Sequence, residues 1–331
     1  MLFLQAALLA AALLSAPGGR EALAAEGEGW FTVQYGDLTV TALSDSTGRM
    51  PYSLFLPSEI SPADFAALAG QAGPEYADSV PSWINAFLVR KGDSLFLVDA
   101  GTGTGIADRI RAAGYAPEAV THVIVTHFHG DHIGGLAAEG GGKAFPNAVL
   151  FAPKRDEEYF IPSDGSEVSG TDLARRATAP YRADGTYRPF EPGSQIAPGV
   201  NSVSLWGHTP GHSGFRFEGT GGPFLAWGDI VHAYLIQFPR PEATVSYDVD
   251  RPSAAETRKR VFNEAADGKL LVAGAHLPFP ALGTVSRAQG AGFAWHPYLP
   301  PEPAAADGPK PEAGAAPASP EAEAPAADQA K

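Results

Sequence analysis

The sequence predicts a mixed α/β protein layered as helix, sheet, sheet, helix, and three observations carry that prediction. Apolar runs of strand length each end in a short polar loop. Helical patterns alternate with those runs rather than gathering at one end of the chain. Most of the nine histidines fall in the loops, where residues far apart in sequence converge on one cleft of a layered α/β fold.

Taken in order, residues 30–35 and 38–43 read as strands joined at Gly36-Asp37, and 86–90 and 95–98 as a second antiparallel pair across Lys91-Gly92-Asp93. Residues 106–113 read as a helix ended by Gly114, and 120–125 as a buried strand. Later strands are expected at 203–206, 215–217 and 224–227. A long helix is expected to begin at Ser253, where Ser253 and Glu256 form a capping box, and to run to Gly268. The last inner strand is expected at 270–272.

The strand at 120–125 delivers Thr126-His127-Phe128-His129-Gly130-Asp131-His132. Two histidines one residue apart point the same way and share an ion, and neutral imidazoles with a carboxylate suit zinc, iron or manganese. The plain alternative is a polar turn whose histidines bond water. Three more ligand positions follow strands: His208 or His212 in Gly207-His208-Thr209-Pro210-Gly211-His212, Asp229 after Gly228, and His276 after Ala275.

Composition bounds the partners. At 331 residues and 44% hydrophobic content the chain can bury a full core, and 38 glycines with 30 prolines imply many turns. A net charge of -14, with no Lys/Arg run to track a phosphate backbone, argues against nucleic acid. The absence of cysteine excludes disulfides, thiolate metal sites and cysteine nucleophiles.

Residues 1–25 read as a secretory signal. An apolar stretch at 2–14, too short to span a bilayer, precedes the small-residue cleavage pattern Ala22-Leu23-Ala24. A periplasmic or secreted protein is expected. No Lys or Arg precedes the stretch, which leaves open an upstream start or an uncleaved membrane anchor. Residues 26–300 read as one domain. Residues 301–331, nearly all Ala, Pro, Glu and Asp, have nothing to bury and read as a disordered tail.

The His-x-His-x-Asp-His loop, the Gly-His-Thr-Pro-Gly-His segment, the Gly-Asp after a strand and the late histidine resemble the metallo-β-lactamase superfamily in motif and order, across residues 30 to 300. The resemblance implies that family's four-layer αββα sandwich. The stretches Trp227-Gly228-Asp229-Ile230-Val231-His232, Gln237-Phe238-Pro239-Arg240-Pro241-Glu242 and Ala275-His276-Leu277-Pro278-Phe279-Pro280 are similar to its methyl parathion hydrolase branch, which includes lactonase-like relatives. It implies His127, His129 and His208 at a first metal, Asp131, His132 and His276 at a second, and Asp229 bridging both. His212 is then a supporting or packing residue. Asp99 resembles the family's supporting aspartate, with a simple turn residue as the alternative.

The resemblance implies two divalent ions, Zn²⁺ first with Mn, Co or Fe as alternatives, and a dinuclear hydrolase. A hydroxide held between the ions attacks a lactone, aryl ester or phosphotriester. Asp131 is a ligand and a candidate proton shuttle. His232 is a candidate to bond a substrate oxygen or protonate a leaving alkoxide, and its polarity favours lactones or aryl esters over bulky phosphotriesters. His122 and His296 are expected to be satisfied by backbone contacts. Phe55, Trp83, Phe87, Tyr159, Phe160, Tyr181 and Phe238 are candidate pocket walls, with Trp83, Tyr159 and Phe160 foremost. Alternatives are β-lactam or thioester hydrolysis, a mononuclear iron oxidoreductase of the sulfur-dioxygenase kind, and a noncatalytic binder, which would have lost a ligand. Gly101-Thr102-Gly103-Thr104-Gly105 is too irregular for a nucleotide turn. A homodimer is expected from family habit alone.

Overall fold

Consecutive apolar residues on the central strands serve two different cores, which turns one sheet into an inner layer. In Phe96-Leu97-Val98, Phe96 and Val98 join the core shared with the second sheet, and Phe96 meets Phe217 edge-on at 5.5 Å between ring centroids. Leu97 instead joins Leu88, Val123 and Leu150 beneath helices on the outer face. The period-2 alternation of a strand divides the side chains in this way.

The computed structural model describes residues 24–55, 59–103, 105–290 and 292–298. Most of the expected leader and all of the expected tail lie outside the described residues. The first sheet holds β1 (Ala24–Gly27), β2 (Trp30–Tyr35), β3 (Leu38–Pro51), β4 (Ser79–Lys91), β5 (Ser94–Val98), β6 (His122–Ile124), β7 (Val149–Pro153) and β8 (Tyr187–Phe190), in that order. Pairing is antiparallel as far as β5 and parallel from β5 to β8. The second sheet holds β9 (Gln195–Ala197), β10 (Val200–Ser204), β11 (Ser213–Phe217), β12 (Phe224–Ala226), β13 (Leu271–Ala273), β14 (Leu282–Arg287) and β15 (Phe293–Pro297). It is antiparallel except between β12 and β13.

Parallel neighbours need crossovers, and helices supply them on the outer faces. The α-helices are α1 (Pro62–Ala69), α2 (Ile106–Ala112), α3 (Gly130–Ile133), α4 (Lys154–Phe160), α5 (Thr171–Ala183), α6 (Tyr234–Gln237) and α7 (Arg251–Gly268). Helices α2 and α5 cover the first sheet through Ile106, Ile110, Ala174, Ala177 and Tyr181. Helix α7 connects β12 to β13 and covers the second sheet through Val261, Phe262 and Ala265, with Phe262 stacked on Phe238 at 4.7 Å. The helix, sheet, sheet, helix layering is the one the sequence predicts.

Several local expectations are corrected. The cap of α7 is Asp250, whose carboxylate accepts from the Ser253 N–H at 3.1 Å, and the helix starts at Arg251 with Pro252 in its first turn. Proline lacks the N–H that would be orphaned there, so the start moves ahead of Ser253. The strand expected at 203–206 is β10, shifted to Val200–Ser204, and the chain turns just beyond it at Gly207, whose φ is 130° and whose N–H donates to the Thr209 carbonyl at 3.2 Å. β13 is not the last inner strand, since β14 and β15 continue the sheet. Among the described residues no helix is long and apolar enough to cross a membrane.

Candidate metal centre

Every expected ligand lies just past a strand. His127 and His129 follow β6, and Phe128 between them turns the opposite way into the outer core. Its N–H donates to Asp156 Oδ2 at 3.0 Å. His129 precedes α3, so Asp131 and His132 occupy that helix's first turn. His208 follows β10, Asp229 follows β12 and His276 follows β13.

These residues converge. His127 Nε2 and His208 Nε2 lie 3.0 and 2.9 Å from His129 Nδ1, and 3.6 and 3.3 Å from Asp229 Oδ2. On the other side, His132 Nε2 and His276 Nε2 lie 3.6 and 3.4 Å from Asp131 Oδ2. Asp229 stands between the sets, with Oδ1 3.1 Å from His132 Nε2 and Oδ2 3.1 Å from His276 Nε2. The ligand-type atoms of each set lie within 4.8 Å of one another.

The outward nitrogens fix the tautomers. His132 Nδ1–H donates to Asp99 Oδ2 at 2.8 Å, His208 Nδ1–H to Asp248 Oδ1 at 2.7 Å, and His276 Nδ1–H to the Trp83 carbonyl at 2.6 Å. Each turns Nε2 inward, where its lone pair would serve a metal once the proton there is displaced, the arrangement that orients imidazole ligands. Asp99 is thus a supporting aspartate as well as a turn residue. At φ 61° it also accepts from the Thr126 N–H and hydroxyl at 2.7 and 2.9 Å.

A bound cation fits this donor set on two observations. His132 Nε2 and Asp229 Oδ1 are buried, face each other at 3.1 Å without hydrogen-bond alignment, and have no other partner among the described residues. Nitrogen and carboxylate oxygen in these numbers suit a borderline divalent ion such as zinc. The electrostatics agree. Burial and neighbouring imidazoles push His127 well below the usual histidine range, and burial with His208 pushes His129 down to about 3, which leaves both neutral. Burial opposes charge on His132 and His276 as well, but Asp229 and Asp131 outweigh it and raise both. Burial also opposes the Asp229 charge, and His132, His276 and His127 overcome it, holding the carboxyl well below the usual range.

His212 is a supporting residue. Its Nδ1–H donates to the Leu205 carbonyl at 2.9 Å, and its Nε2 accepts from the Asp229 N–H at 3.0 Å. His232 is buried against the cluster with Nε2 3.2 Å from Asp229 Oδ2, close enough to form a further ligand-type group with Asp229 and His276. Its Nδ1 has no partner among the described residues, and burial lowers its pKa to about 4.

A cavity of about 750 Å³ opens over the centre. Its walls include Met50, Leu54, Ile84, Tyr159, Phe160, Val168 and Tyr247, with Asp131, Asp229, His232 and His276 at its polar end. Tyr159 and Phe160 are therefore walls, whereas Trp83 is not among the lining residues. Its ring packs edge-on against Tyr234 at 6.0 Å, and its carbonyl holds His276. Phe55, Phe87, Tyr181 and Phe238 are core. His122 and His296 bond hydroxyls rather than backbone, at Thr121 and Ser286.

Sequence reasoning missed Asp248, Asp156 and Tyr247. Asp156 sits in the charged run Lys154-Arg155-Asp156-Glu157-Glu158, which looks like a solvated helix face. Yet it is fully buried and accepts from Phe128 N–H, Thr209 Oγ1 at 2.8 Å and Gly211 N–H at 2.6 Å. It therefore ties the His127–His129 loop to the His208 loop. Tyr247 packs edge-on over His129, His208 and His232.

The metallo-β-lactamase superfamily model matches residues 82–276, more than half of the chain. The hydrolase AbOPH of the β-lactamase superfamily is 32% identical, with 82% of this chain and 98% of that one covered and a TM-score of 0.76. AidC, described as a dizinc quorum-quenching lactonase, is 23% identical with 84% and 99% covered and a TM-score of 0.72, a likeness of fold. The uncharacterized protein YobT of Bacillus subtilis is 24% identical over 40% of this chain, and the match spans 56% of its own length. The family model ends at His276, so it takes in every ligand candidate described above. The chain belongs to the metallo-β-lactamase superfamily.

Proposed function

We propose that this protein is a metal-dependent hydrolase of lactones and aryl esters, with two ion positions and with phosphotriesters as weaker substrates. The observation that carries the reading is that both ligand sets are complete and share Asp229. His127, His129 and His208 would hold the first divalent ion, Asp131, His132 and His276 the second, with Zn²⁺ best suited to the donors. Bound there, the ions supply an acidified water and Lewis-acid polarisation of an acyl or phosphoryl oxygen.

The chain's own groups do the rest. Asp229 stays ionised between the sets and keeps the inner nitrogens in register. Asp131 is the more solvent-open carboxylate, with 27% of its side chain exposed against 2% for Asp229, and is suited to pass a proton to solvent after attack. His232 lines the cavity with Nε2–H donating to Asp229, so its Nδ1 lone pair is placed to accept from a hydroxyl or N–H of the substrate. The apolar walls take an acyl or aryl group and exclude water around it. AidC carries lactone chemistry on the same fold, which makes lactones the first substrates to test. Export fits the apolar segment at 2–14.

The test is metal content per chain together with turnover of an aryl lactone, an acyl-homoserine lactone, an aryl ester, phosphotriesters and a penicillin. Two zinc-like ions and lactone or ester activity lost on chelation are expected. A single iron without hydrolysis overturns the proposal and points to oxidoreductase chemistry.

A further inference from the structure

The carbonyls on either side of His276, those of Ala275 and Leu277, are held by a single side chain. Asn85, buried on β4, donates from Nδ2 to both at 2.9 Å. Its backbone N–H also donates to the Ala275 carbonyl at 2.9 Å. Two residues earlier on the same strand, the Trp83 carbonyl accepts from His276 Nδ1–H. β4 belongs to the first sheet and His276 follows β13 of the second, so these bonds cross the seam between the halves. A bulge adjusts the strand at this point: β3 pairs Ser44 with Asn85 and then Ser46 with Ile84, skipping Asp45.

We propose that Asn85 is the positioning residue of the second metal position, acting through His276. Clamping both flanking carbonyls fixes the backbone that carries the imidazole, and so aims Nε2 at Asp131 and Asp229, 3.4 and 3.1 Å away. The chemistry selects asparagine. Two carbonyls facing one group require a nitrogen with two N–H donors. Aspartate sets lone pairs against lone pairs, leucine leaves the Leu277 carbonyl without this donor, and glutamine adds a methylene in a packed interior. Asn85 Oδ1 is buried with no partner among the described residues. A buried orphan of this kind is a liability in a residue serving stability alone, whereas holding His276 accounts for it.

The inference rests on reading His276 as a ligand, not on which substrate is hydrolysed. Metal-depleted wild type, Asn85→Leu, Asn85→Ser, His276→Ala and the Asn85→Leu/His276→Ala double variant are titrated with Zn²⁺ against a chromogenic chelator, and thermal unfolding of each metal-free protein is followed. In Asn85→Leu the second ion is expected to bind about 10–100-fold more weakly, the range for losing a group that orients a ligand, with the first ion unchanged. Asn85→Ser, which keeps one donor and is the smaller disturbance, is expected to fall between and serves if the leucine variant does not fold. With His276 removed, Asn85→Leu is expected to cause no further loss. The proposal is overturned if Asn85 variants lower only the unfolding temperature and leave both affinities intact, or if they still weaken metal binding without His276. A wild type that binds one ion overturns it together with the two-position reading. Two ions without hydrolysis remove the proposed function and leave Asn85's role standing.

Discussion

Replacing Asp248 separates orientation of a ligand from simple packing. Its Oδ1 accepts from His208 Nδ1–H at 2.7 Å, and its Oδ2 accepts from the Val245 N–H at 2.9 Å. Both oxygens thus face donors, and Asp248→Asn must turn its amide nitrogen toward one of them. If it faces His208, the imidazole moves its proton to Nε2 and loses the inward lone pair. If it faces Val245, a buried N–H is orphaned at a cost of about 1–3 kcal/mol. The expected loss of affinity at the first metal position is about 10–100-fold, or about 1.4–2.7 kcal/mol. pH adds a second signature. In the metal-free site burial opposes charge on His208, but hydrogen bonds to Asp229 and Asp248 raise its pKa to about 9. That proton competes with metal below pH 9, and removing Asp248 weakens the competition. The gap between wild type and Asp248→Asn should therefore widen as pH rises from 7 to 9. Chelator competition at several pH values measures it. Equal affinities for both ions across that range would refute the reasoning.

Asp156 gives a pH-dependent stability. Burial, opposed by its three hydrogen bonds, raises its pKa to about 6 from 3.8. A raised folded-state value means that its contribution is fully present below pH 3.8 and is lost as pH rises through 6, by about 3 kcal/mol in all. The difference in urea midpoint between metal-free wild type and Asp156→Asn should drift with pH across that window; a constant difference contradicts the assignment. For His232→Leu, lactone kcat/KM is expected to fall about 10²-fold while preference shifts toward phosphotriesters, and unchanged turnover and preference would end the case for its substrate contact. Phe262→Ala should cost about 3–5 kcal/mol by denaturant unfolding with metal content unchanged, since its ring packs among Phe238, Trp227 and Phe293 rather than at the centre.

The ligand candidates were legible because ligand chemistry needs particular residue types at strand ends, and strands show themselves by apolar runs. His127, His129, Asp131, His132, His208, Asp229 and His276 are brought together from such positions. Their supports were less visible. Asp248 lies 40 residues from His208 and Asn85 lies 191 from His276, so neither pairing leaves a local pattern. Asp156 resembled its charged neighbours because burial of one carboxylate in a helix depends on what docks against it. β14 and β15 were overlooked because Gly283 interrupts the first and Pro297 ends the short second, so neither shows a clear apolar run. Trp83 was assigned to the pocket through its ring, whereas its carbonyl is the part that reaches the centre.

The division of the ligands between sheets has a kinetic consequence. His127, His129, Asp131 and His132 belong to the first half of the chain, whereas His208, Asp229 and His276 belong to the second, and each ligand set draws on both. His127 and His276 are separated by 149 residues (276 − 127). Contacts of such long range form late and slowly in folding. A nascent chain that has made only the first half offers half of each ligand set. Ions held there would bind tightly only once the two halves dock, acting as a late lock on a finished fold rather than as a nucleus for it. Stripping metal from the folded protein should accelerate unfolding more than it slows refolding.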